Sequence, residues 1–187
     1  MSIETLKERG DALENQFFKE ENEKALQTLR DQIAKTEQRE VLSAASGVHD
    51  PAVLDALAAA GISGETLTAL SLVPLVVVAW ADGNVDDSER SAILKAFGQA
   101  NSNQANNDLL DGWLNQKPDS TLFETWRLYI HAILEELDSK SKDALQSQLV
   151  DGAREVAEAA GGFLGLGNKI SAKEASVLDE LEACFQK

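Results

Sequence analysis

The stretch from Leu70 to Phe97, LSLVPLVVVAWADGNVDDSERSAILKAF, constrains the fold more than any other part of the chain. Leu72, Val73, Leu75, Val76, Val77, Val78, Ala79, Trp80 and Ala81 carry no charge, and Asp82, Asp86, Asp87 and Glu89 then follow closely. Such an apolar run must be surrounded by other chain or by lipid. The uncharged residues Thr66 to Ala81 are fewer than the ~20 needed to cross a bilayer, and Pro74 lies among them. A buried helix is therefore expected, ending in a tight turn at Gly83-Asn84, with a second helix capped by Asp86.

Composition extends this reading. The chain has 187 residues, 43% of them hydrophobic, enough to bury a core. Three prolines, an abundance of Ala, Leu, Glu, Gln and Lys, and no sustained period-two alternation predict an all-α fold. A net charge of -15 argues against a nucleic-acid surface, which needs clustered Lys and Arg, and against an anionic membrane surface. It suits a protein that binds cations or a basic partner. A single cysteine, Cys184, rules out an intramolecular disulfide and fits a reducing, cytoplasmic setting. The first residues, MSIETLKERGDALENQFF, lack the apolar core of a secretion signal.

Two segments are expected. Residues 1–47 form an amphipathic helical extension and residues 48–187 a helical domain. In the extension Leu6, Leu13, Phe17, Leu26, Leu29 and Ile33 recur at drifting helical steps as far as about Gln38, and Phe17 and Phe18 are its strongest burial candidates. A weaker helical patch reaches Ser46. In the domain, Asp50-Pro51 starts a helix that stops at Gly61. Ser63 caps a helix running to Ala81 and bent near Pro74. Further helices are expected from Asp86 or Asp87 to Phe97, from Gln104 to Gln116, from Thr121 to Leu137, and from a cap at Ser139 or Ser141 to Ala160. Residues Gly161 to Gly167 form a glycine-rich corner, and Ser171 to Phe185 the last helix.

Two passages repeat. Val85-Asp86-Asp87-Ser88-Glu89 follows Gly83-Asn84, and Ile170-Ser171-Ala172-Lys173-Glu174 follows Gly167-Asn168. Each places an apolar residue before a cap and a Glu three residues after it, the pattern of a capping box. This predicts two related helix–turn–helix units.

At these residues the chain resembles the TerB-like tellurite-resistance family, over about residues 63–187. The carrying motifs are AWADGNVDDSERSAIL and GNKISAKEASVLDELEACF. The resemblance implies a compact helical bundle in a stress-response setting, with a divalent cation on the acidic turn, held by Asp82, Asp86 and Glu89. The chain departs from the pattern where Ala160-Gly161-Gly162 stand in place of a second Ala-Asp-Gly, which weakens any site needing an aspartate from both halves. Over RGDALENQFFKEENEKALQTLRDQ the extension is faintly similar to the zeta-type inhibitor of bacterial ATP synthase, which implies a regulatory subunit acting through that helix.

The turn itself reads like the second half of an EF-hand loop, with Gly at the sharp turn, an aliphatic residue two later and a closing Glu. The first half is missing, because Val78 and Trp80 stand where the earlier carboxylates would be. Asp82, Asp86, Asp87 and Glu89 are the candidate metal ligands, for Ca2+ or Mg2+. On the competing reading Asp86 and Glu89 only cap a helix and favour its positive end. His49 reads as a loop residue and His131 as a boundary residue within a long helix, and neither stands in a nucleophile motif. Trp80, Trp113 and Trp126 are expected in the core. No catalytic residue is assigned. The expected function is a non-enzymatic interaction or sensor module whose extension pairs with another protein or a second copy. The alternatives are a regulatory subunit acting through its N-terminal helix and a carboxylate-based metal-dependent hydrolase.

Overall fold

A computed structural model describes residues 3–98, 103–161 and 170–186, with side chains from residue 19 onward and excluding 160–161. The described residues are helical, without a strand, so the fold is all-α. The expected burial of Phe17 and Phe18 and the corner at Gly162–Gly167 fall outside the described side chains and residues.

The chain divides into two compact units, Met1–Glu40 and Val41–Lys187. The described part of the first lies within helix α1 (Ile3–Ser46), which runs unbroken where a helix and a separate weak patch were expected. From Lys19 to Glu40 every residue except Arg39 is exposed. The last turns of α1 belong to the second unit, where Leu42 is fully buried.

The second unit starts its own helices as the local chemistry dictates. Asp50 accepts the Ala52 N–H at 2.8 Å and opens α2 (Pro51–Ala59), with proline in the first turn, where no backbone donor is needed. Gly61, at φ +77°, turns the chain, and the Ile62 N–H bonds the Leu57 carbonyl at 2.9 Å to close the helix end.

The expected long helix from Ser63 to Ala81 is broken up. Ser63 and Thr66 tie off a turn through their hydroxyls and amides. A 3-10 helix (Leu67–Leu72) follows, and α3 comprises only Val73–Ala79. The reason is Pro74, which has no N–H and whose ring would strike the preceding turn. Placed in the first turn of a new helix it costs nothing, so the helix begins at the proline and does not bend through it.

Helix α3 is the centre of the bundle. All its residues except Val77 are buried. It packs against the 3-10 helix and against α4 (Asp87–Gly98), α6 (Ser120–Glu136), α7 (Ser139–Gly161) and α8 (Ala172–Ala183). Helix α5 (Gln104–Asn115), capped by Asn103, packs on the 3-10 helix. Asp119 caps α6. Helix α7 is capped by Asp138, which accepts the Ser141 N–H at 2.7 Å, and not by Ser139 or Ser141. A carboxylate one residue earlier supplies the same acceptor with a full charge, which the helix N-terminus favours. Trp126 is fully buried and Trp113 nearly so, while Trp80 is half-buried.

The candidate carboxylate site at two helix starts

The apolar helix does end at the acidic turn. Trp80 caps α3, donating its N–H to the Val76 carbonyl, while its indole Nε1–H bonds the Trp113 carbonyl at 2.8 Å. This second bond ties the end of α3 to the end of α5. Gly83 reverses the chain at φ +104°, a conformation that costs other L-residues strain. Asp82 stabilises the reversal by accepting the Asn84 N–H at 3.0 Å.

Asp86 and Glu89 form a reciprocal capping box. Asp86 Oδ1 accepts the Ser88 and Glu89 N–H groups, each at 2.8 Å, and Glu89 Oε2 accepts the Asp86 N–H at 2.8 Å. Three backbone donors at the start of α4 are thereby satisfied. Asp87 is exposed on the first turn, and its carbonyl accepts the Ser91 hydroxyl at 2.6 Å. Arg90, one residue past the box, reaches Asp111, the Leu114 carbonyl and Asn115, and holds α4 to the end of α5.

The same device stands at the start of α8. The Ser171 N–H donates to Glu174 Oε2 at 2.6 Å, and the Glu174 N–H to Ser171 Oγ at 3.2 Å. Each repeated passage thus folds into a capping box. Both closing glutamates are buried, Glu89 at 4% and Glu174 at 6% exposure, the two buried carboxylates among the described residues.

The charge of Glu174 also bears on Glu89. The Glu89 carboxyl is pushed from an ordinary 4.5 up to about 7, first by burial and then by the nearby charges of Asp86, Asp82 and Glu174, with the Asp86 N–H opposing. Glu174 was not among the residues singled out at the turn. Its signal was the repeat, which equates it with Glu89 but does not reveal that its charge bears on Glu89.

Of the four predicted ligands, Asp82 and Asp86 lie near Glu89, while Asp87 occupies the exposed side of the helix start. Among the described residues no group of three or more His, Cys, Asp and Glu side chains is gathered closely enough to hold a metal ion. One oxygen of each of Asp82, Asp86 and Glu89 is engaged with a backbone donor. What the arrangement offers chemically is one buried carboxyl that takes up a proton near neutral pH.

The remaining candidates are placed plainly. His49 is exposed, with Nδ1 2.8 Å from Ser43 Oγ. His131 is half-buried. Cys184 is buried, with its thiol on the Glu180 carbonyl at 3.2 Å, and burial pushes that thiol's pKa up, away from reactivity. No described helix is long and apolar enough to cross a membrane. No family model, no curated protein and no solved structure matches the chain.

Proposed function

We propose that the chain is a non-enzymatic interaction module of the TerB-like type, in a cytoplasmic stress or tellurite response, that engages another protein through α1. One observation carries this reading. Leu26, Leu29 and Ile33 recur at steps of three and four, which puts them on one face of the helix, and they are 52%, 52% and 49% exposed. Isolated helices hold together poorly in water without a packed face, and a row of half-exposed leucine and isoleucine is that face without its cover. A second copy of the chain is the simplest occupant.

The test replaces Leu26, Leu29 and Ile33 together by Ser and measures molar mass by light scattering, alongside capture of partners from a cell extract. The wild type should exceed its monomer mass, or retain a partner that the variant loses. Identical mass and identical capture in the two proteins would remove the arm from the function.

A second reading, a cation sensor, is favoured by the raised Glu89 carboxyl beside Asp82, Asp86 and Glu174. Calcium or magnesium would replace the proton there, with water completing a shell of six or more oxygens. Binding would be weak, because the backbone donors at Asp86 and Asn84 compete for the same carboxylates. Calorimetric titration of the wild type against an Asp82→Ala/Glu89→Gln double variant decides it. Equal traces from the two proteins sink the cation reading and leave the interaction reading standing.

A further inference from the structure

The exposed face of α1 carries charge in a pattern as well as apolar side chains. Leu26 and Ile33 stand seven residues apart with Leu29 between them, the a–d–a spacing of a heptad seam. The same frame puts Asn22 and Thr36 at the neighbouring d positions and Lys19 and Glu40 at the neighbouring a positions, so charge bounds the seam at both ends. Glu23 and Arg30 take successive e positions, directly beside it. Both are exposed, and neither has a hydrogen-bond or ion-pair partner among the described residues. Other polar groups of this stretch are engaged, Lys24 with Glu21 at 3.3 Å and Gln27 with Asp31 at 2.8 Å.

These positions discriminate between the ways in which two copies can pair. Parallel helices in register set Lys19 against Lys19 and Glu40 against Glu40 within the seam, and give Glu23 and Arg30 no opposite charge. Antiparallel helices crossing between Gln27 and Thr28 set Leu26 of each copy against Leu29 of the other. In an antiparallel pair the e positions face one another, so this register also brings Glu23 of each copy beside Arg30 of the other, twice by symmetry. Sliding the pair by one heptad, to match Leu29 with Ile33, faces Glu23 with Glu37 and Arg30 with Arg30. Like charges there repel, and one arrangement is left in which the flanking charges attract.

We propose that two copies of the chain associate by antiparallel pairing of their α1 helices about Gln27 and Thr28, with Leu26 and Leu29 of each in the seam and Glu23 of each paired with Arg30 of the other. This pairing rests on the reading of α1 as the interaction arm, and it fixes the occupant and its register.

Sedimentation equilibrium of the full chain tests it. The seam from Asn22 to Ile33 is only about 18 Å long, so the measurement extends to about 1 mM protein. Glu23→Arg and Arg30→Glu each turn two attractive pairs into two repulsive ones, and each should weaken the dimer about tenfold. An equimolar mixture of the two single variants makes both pairs attractive again and should associate as tightly as the wild type. The double variant Glu23→Arg/Arg30→Glu should do the same. Both residues are exposed, and circular dichroism verifies that the helices persist. A wild-type dimer indifferent to the single exchanges overturns the pairing while leaving α1 an interaction arm. Weakening that neither the mixture nor the double variant restores also overturns it, because damage to the helix and not a lost ion pair is then the cause. A wild type that stays monomeric at every concentration overturns it too. In that case the interaction reading is decided separately, by whether a different partner is retained by the wild type and lost when Leu26, Leu29 and Ile33 are replaced by Ser.

Discussion

Replacing Glu89 by glutamine should make the protein more stable above neutral pH. In the folded chain the Glu89 carboxyl keeps its proton up to about pH 7, whereas unfolded it releases it near 4.5. Between those values the folded state holds more protons, so stability falls as the pH rises through this window. At ~1.36 kcal/mol per pH unit, the interval from 4.5 to about 7 is an upper bound of about 3 kcal/mol, fully lost by about pH 8. Glutamine retains an oxygen for the Asp86 N–H and removes the charge that burial, Asp86, Asp82 and Glu174 oppose. Urea unfolding at pH 5 and pH 8 measures the effect. At pH 5 the two proteins should agree within about 1 kcal/mol. At pH 8 Glu89→Gln should gain up to about 3 kcal/mol, or roughly 6–12 °C in melting temperature for a chain of this size. An identical pH dependence in both proteins, or a less stable variant at pH 8, would refute the reasoning from the carboxylate cluster.

The capping boxes and the core make separate, smaller claims. Ser171→Ala removes the side-chain acceptor for the Glu174 N–H and should cost ~1 kcal/mol in urea unfolding, while the corresponding Ser171→Asp should restore it. Gly83→Ala meets no atom within 4 Å, so its expected loss of ~1 kcal/mol comes from the φ of +104° alone. Leu57→Ala, at a position with no exposed surface, should cost about 2–5 kcal/mol by the same assay.

Much of the fold was legible because its signals are local. Asp50-Pro51, Asp86 with Glu89, and Ser171 with Glu174 specify helix starts through atoms three residues apart at most, and each starts a helix. The apolar run at Val73–Ala79 marked the centre of the bundle for a similar reason, since a chain with so much charge elsewhere has nowhere else to put it. Pro74 was read as a bend and proved to be a start. A sequence shows the missing donor but does not show which side of it the helix prefers. Ser139 or Ser141 was expected to cap α7 and Asp138 does so, because all three residue types cap well and stand at neighbouring positions. The least legible features are those made between elements. Nothing near Trp126 in the sequence foretells an indole without an acceptor, and nothing near Glu89 foretells that the charge of a glutamate some eighty positions on bears on it.

The course of α1 decides where this chain can be cut. Polarity changes most visibly at Gly47, and a truncation there looks natural on paper, yet it would pull out Leu42, which is 0% exposed. A cut after Glu40 leaves that plug seated. A protease nibbling along the exposed helix from its outer end should therefore meet resistance within a turn of Val41, and the surviving fragment would mark, by its mass, where the anchored part begins.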